Sequence, residues 1–127
     1  MQLPDRLEVS HGISRFRPRG ECTLVEAVDL ISAAITYCRV RHLDKLLINT
    51  TGLTGLPIPT LVDRFLMVED WARAARGMTA VALVVHPEYI HPRKFGIRVA
   101  ADLGLTAEVH TSEADAIAWL SRAADRA

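Results

Sequence analysis

The residues with the widest chemical reach are His86, Glu88, His91 and His110. Imidazole nitrogens and carboxylates are the donors that hold zinc, and the same groups exchange protons near neutral pH. Their spacing follows no metal motif: His86 and His91 stand in a stretch broken by Pro87 and Pro92, unlike recognised ligand patterns. The sequence therefore predicts neither a resident metal nor a cofactor. Nucleophilic catalysis has no more support. There is no Gly-x-Ser-x-Gly elbow, and Cys22 and Cys38 lie on no catalytic motif. The run Thr51-Gly52-Leu53-Thr54-Gly55 lacks both the dinucleotide fingerprint and the phosphate-loop lysine. No enzyme is read from these residues.

Two further groups can bind rather than react. Arg15, Arg17 and Arg19 alternate, so an extended backbone puts them on one face. They form either a docking stripe for an acidic partner or anionic headgroup, or a solvated strand face. Leu53, Leu56, Pro57, Ile58 and Pro59 make an apolar loop that either meets a partner or packs over the sheet end.

The elements that must position these residues follow from periodicity. Leu7 and Val9 alternate with polar residues, Gly12 permits a turn, and residues 13–17 form a second strand, so an antiparallel ribbon is expected. Thr23 and Glu26 have the spacing of a capping box, and Leu24, Val28, Ile31, Ile35 and Cys38 continue at helical intervals to about residue 41. A strand over 45–51 leads into a turn region. Thr60 caps a second helix with Leu61, Phe65, Val68, Ala72 and Ala75 on one face, stopped by Gly77. Trp71 falls beside that stripe, as an exposed anchor or as part of a broad buried face.

Residues 79–86 are almost continuously apolar, the mark of a strand covered on both faces. Pro92 is a suitable first residue for a helix carrying Phe95, Val99 and Leu103, ended by Gly104. Leu105, Ala107 and Val109 alternate as a half-exposed edge strand, and Ser112 caps a final helix with Ala116, Trp119 and Leu120. Strands alternating with helices imply a single α/β domain over residues 1–127: a mixed, mainly parallel sheet of about five strands with four helices.

Composition narrows the function classes. The 127 residues carry 15 basic and 15 acidic side chains, a net charge of zero, which disfavours nucleic acid as partner. Half the chain is hydrophobic, enough for one ordinary core. Two irregularly placed cysteines make no disulfide framework, the N-terminal residues have no apolar leader core, and no run is long enough to span a membrane. A cytoplasmic setting is expected.

In a parallel α/β sheet, ligands bind beyond the carboxyl ends of the strands. Residues 50–60, 86–93 and 110–112 should reach that edge. They bring Thr51, Thr54, Pro57, Thr60, His86, Glu88, His91, Arg93 and His110 to one region. Helix N-termini there suit an anion, although capping alone accounts for several of these residues.

The ribbon, then Gly20-Glu21-Cys22-Thr23 leading into the first helix, the strand 46–49 and three further strand–helix steps resemble the STAS fold of the SpoIIAA-like superfamily. The segments 84–89 and 91–96, with Val99-Ala100 and 113–120, resemble a subgroup of small bacterial STAS-like proteins. The same order also resembles the Sec14-like lipid-binding fold. The first resemblance implies a non-catalytic regulatory module acting through a protein partner or self-association as a homodimer. The Sec14-like resemblance implies a small apolar or anionic, lipid-like ligand at the strand carboxyl edge. An anti-sigma-factor antagonist of this family would carry a phosphorylated serine at the start of its second main helix. Here that region reads Leu56-Pro57-Ile58-Pro59-Thr60, with no serine and Thr60 as the nearest hydroxyl. An interaction module should show a flat apolar patch and a carrier an enclosed apolar cavity.

Overall fold

The computed structural model describes residues 6–124. Strands β1 (Leu7–Ser10) and β2 (Ile13–Phe16) pair antiparallel, with Leu7 opposite Phe16 and Ser10 opposite Ile13. The two-residue loop is His11-Gly12, both at positive φ (53° and 76°), the geometry that matches strand twist in a tight hairpin. Val9 is exposed, contrary to the alternation read from the sequence: only Leu7 of this edge strand reaches the core.

Helix α1 (Leu24–Val40) begins as expected, with Thr23 and Glu26 exchanging both bonds of a capping box. Strand β4 (Lys45–Asn49) follows the two-residue strand β3 (Gly20–Glu21) in the numbering, and precedes β5 (Leu53–Thr54). Helix α2 (Leu61–Ala75), strand β6 (Ala80–Val84), a 3-10 turn at Pro87–Tyr89, helix α3 (Phe95–Asp102), strand β7 (Ala107–His110) and helix α4 (Glu113–Ala124) complete the order.

The main sheet has the order β1-β2-β4-β6-β7, and β2, β4, β6 and β7 are parallel. Their carboxyl ends therefore share one edge. Helices α1, α2 and α3 cover one face over Phe16, Leu46, Ile48 and Val81. Among the described residues, helix α4 alone covers the other, on Ile13, Leu47, Ala82 and Val84. Burial on both faces explains the continuous apolar run in β6.

Two stretches differ from the sequence reading. Helix α3 starts at Phe95 rather than Pro92, because Lys94 takes the left-handed conformation (φ 50°) and donates its N–H to the His91 carbonyl, which closes a turn first. The turn region after β4 contains β5, which pairs in parallel with β3; the Gly20 N–H donates to Gly52 O (3.1 Å) and the Cys22 N–H to Thr54 O (3.1 Å). A Cβ at Gly52 would lie 3.0 Å from Arg19 Cγ and 3.1 Å from Pro18 O, so this crossing requires glycine.

The buried face of α2 is also rotated from the expected stripe. Val68, Trp71 and Ala75 are buried, whereas Leu61 and Phe65 face outward. Trp71 is 5% exposed and donates its indole N–H to Val28 O at 3.3 Å, so it is a core residue and no surface anchor. Thr60 is the N-cap, its hydroxyl accepting from Asp63 N and its N–H donating to the Asp63 carboxylate, both at 3.0 Å. Replacing Thr60 with alanine is expected to cost about 1 kcal/mol in urea unfolding; an unchanged midpoint would deny the cap its role.

Candidate functional site

Between the sheet and helices α1, α2 and α3 lies a cavity of about 130 Å³. Its interior is formed by Val28 and Ile31 from α1, Val68 and Trp71 from α2, Leu83 from β6 and Ala100 from α3. Native interiors rarely leave apolar voids much larger than a water molecule. The exposed lining residues Pro57, His86 and Lys94 mark its opening at the carboxyl edge of the sheet.

Local contacts fix that opening. The β3–β5 pair anchors the start of the 50–60 loop, and the Tyr89 hydroxyl donates to Leu56 O at 2.7 Å, clasping the loop to the 3-10 turn. Thr50 donates its hydroxyl to Val84 O, and His86 Nε2 lies 3.3 Å from Thr51 O. The edge therefore holds a cavity mouth bounded by residues 56–59, α2 and the 86–91 segment.

The predicted site residues divide. Pro57, His86 and His91 line the cavity. Thr51 donates its hydroxyl to Asn49 Oδ1 at 2.6 Å, Thr54 is exposed on β5, and Glu88 and Arg93 are exposed. Thr60 is engaged as the cap already described. His110 projects to the opposite face of the sheet, where its ring stands 5.9 Å from that of Trp119 and its Nε2 is buried without a hydrogen-bond partner. Burial holds its pKa below the ordinary histidine value. The sheet thus separates His110 from His86 and His91, and among the described residues no three His, Cys, Asp or Glu side chains converge as a metal cluster.

The arginine stripe dissolves into local contacts. Arg15 folds back onto Ser10 O (3.0 Å) within the hairpin. Arg17 makes a two-pronged pair with Glu113 at 2.8 Å for both bonds, and Asn49 Nδ2 donates to the same carboxylate at 2.8 Å. Arg19 is exposed beyond the strand. The Arg17 pairing, followed by the Asn49 bond, holds the Glu113 carboxyl down to about 2 despite partial burial. Arg17 directly follows β2, Asn49 ends β4 and Glu113 starts α4, so this triad ties three elements at the strand carboxyl edge.

The sequence reading missed Glu113, Asn49 and Arg64. Nothing local marks the first two, since Glu113 is 96 residues from Arg17. Arg64 was legible: it precedes Val68, Trp71 and Ala75 by four, seven and eleven positions, which places it on the inward side of α2.

No protein-family model matches the chain, and no curated protein matches it. Among solved structures it is similar to the anti-sigma factor antagonist SpoIIAA in its unphosphorylated form. The similarity has a TM-score of 0.50 and 19% identity, and covers 91% of this chain and 96% of that one. The chain thus has the STAS-type α/β fold of SpoIIAA: four helices on a mostly parallel five-stranded sheet. Fold leaves activity open, because one fold hosts many functions. No helix among the described residues is long and apolar enough to cross a membrane.

Proposed function

We propose that the chain is a non-catalytic, cytoplasmic module of the STAS fold that holds a small apolar ligand in the cavity beneath α1, α2 and α3. The observation that carries this reading is the apolar cavity itself, about 130 Å³ in a domain of this size. An apolar cavity of about 150 Å³ is dry and takes benzene, so the volume suits a ligand on that scale. The apolar cavity, open at the carboxyl edge of the sheet, supports the carrier reading.

Toluene is the simplest probe. It should raise the Tm of the purified full chain, because binding to the folded state alone stabilises it. Gly96 lines the cavity on α3, and a Cβ there would meet Val68 Cγ2 at an ordinary 3.7 Å. Gly96→Leu should therefore fill the space, raise the Tm without ligand and abolish the toluene effect. A wild-type Tm indifferent to toluene, with no small molecule retained in native mass spectrometry, would sink the reading.

A second reading, a regulatory module acting by protein contact, draws on a different observation. Ile58, Leu61, Val62, Phe65 and Leu66 are all exposed on the 57–60 loop and the outer side of α2. Large contiguous apolar surface of this kind favours contact with a protein partner or a second copy. The same mass spectra report that outcome as a dimer or a retained protein.

A further inference from the structure

Helix α2 inverts the usual amphipathic arrangement in its first two turns. Leu61, Val62, Phe65 and Leu66 face solvent, while Arg64 turns inward and lines the cavity. A half-buried arginine placed inward beside four exposed apolar residues breaks the local pattern, and such breaks concentrate at functional positions. Its guanidinium has five N–H donors. One nitrogen, Nη1, donates to Tyr89 O at 3.0 Å, and Arg64 makes no ion pair among the described residues.

The rest of the mouth is already committed or is also a donor. Lys94 pairs with Glu108 at 3.2 Å, and Thr50 and Tyr89 donate to backbone carbonyls. His91 accepts at Nδ1 from Arg93 N (3.1 Å), which places the proton of the neutral ring on Nε2, a donor with no hydrogen-bond partner among the described residues. Among the described residues, no aspartate or glutamate lines the cavity. The result is an apolar interior with unspent donors at its mouth and no acceptor of opposite charge.

We infer that the cavity's ligand is a small amphiphilic carboxylate: an apolar body of about benzene size inside, and a carboxylate on the Arg64 guanidinium with His91 as a second donor. This rests on the proposed ligand-holding function and names its chemical class. A planar carboxylate matches the guanidinium fork, and one monoanion balances one unpaired cation at little desolvation cost beside water.

The test compares phenylacetate with 2-phenylethanol, its uncharged analogue of similar shape, by titration calorimetry on the full chain. Phenylacetate should bind about tenfold tighter or more. Arg64→Met keeps the apolar stem and should erase that preference while leaving 2-phenylethanol affinity unchanged. Lys45→Met, at the amino end of β4 and not among the residues lining the cavity, should keep the preference. Equal wild-type affinities, or a preference that survives Arg64→Met, would overturn the carboxylate assignment and leave the apolar cavity standing. Failure of both compounds to bind the wild type would remove both proposals. The wild-type comparison decides the matter even if the Arg64 variant does not fold.

Discussion

Trp71→Ala is expected to be the most destabilising single change in the core, costing about 3–5 kcal/mol. Trp71 is almost wholly buried, donates to Val28 O and joins α1 to α2, the helix pair above β4 and β6. Truncation removes the largest side chain of the cavity wall and opens the cavity further, so both transfer and void contributions act in one direction. Trp71→Phe keeps most of the apolar area and loses the indole N–H, and should cost about 1–2 kcal/mol. Urea unfolding at fixed pH measures both. A loss below about 1 kcal/mol for the alanine variant would mean that α2 repacks without its tryptophan.

Glu113→Gln is expected to lower stability by about 1–2 kcal/mol at neutral pH, and the deficit should close on acidification. The folded carboxyl titrates near 2 against an ordinary value of 4.5, because Arg17 and Asn49 bind its charged form. As pH falls, the unfolded chain takes up the proton first. The stabilisation is therefore complete above about 4.5 and is lost as pH falls towards about 2. The magnitude is set below the full linkage value because the side chains of Arg17 and Glu113 remain 41% and 28% exposed. His110 acts in the same direction in a different window: its depressed pKa favours the folded state above the ordinary value of 6.5, and this is lost as pH falls below it. Unfolding midpoints measured from pH 7 to pH 2 separate the two, since Glu113→Gln removes only the lower step. A gap between wild type and Glu113→Gln that persists at pH 2 would refute the pairing as its source.

Local chemistry made most of the architecture readable. The capping boxes at Thr23–Glu26 and Thr60–Asp63 depend on residues three apart, and both formed. The β6 run announced two covered faces because apolar residues filled both sides of its pleat. Pairings without a side-chain signature were not readable. Strands β3 and β5 have two residues each and meet through backbone groups, with glycine at Gly20 and at Gly52 beside them. The alternation of Arg15, Arg17 and Arg19 gave no hint that Arg17 alone of the three pairs with Glu113, which arrives from far along the chain. Helix α2 buries Trp71, Val68 and Ala75 and leaves Leu61 and Phe65 outward, a rotation that the apolar stripe alone does not reveal. A cavity is a mismatch between packed volumes, and no spacing of residues encodes it.

The one-helix face of the sheet has a consequence for the order in which the chain is made. Each parallel strand lies beside the one before it, so β2, β4, β6 and β7 can add in turn as they are synthesised, with α1, α2 and α3 closing behind them. The opposite face has no such running cover. Ile13, Leu47, Ala82 and Val84 stay bare until residues 113–124 are complete, and only then does the Arg17–Glu113 clasp form. The nascent domain therefore carries an adhesive surface until its last described helix arrives, which makes that interval its period of greatest exposure to aggregation and to chaperones.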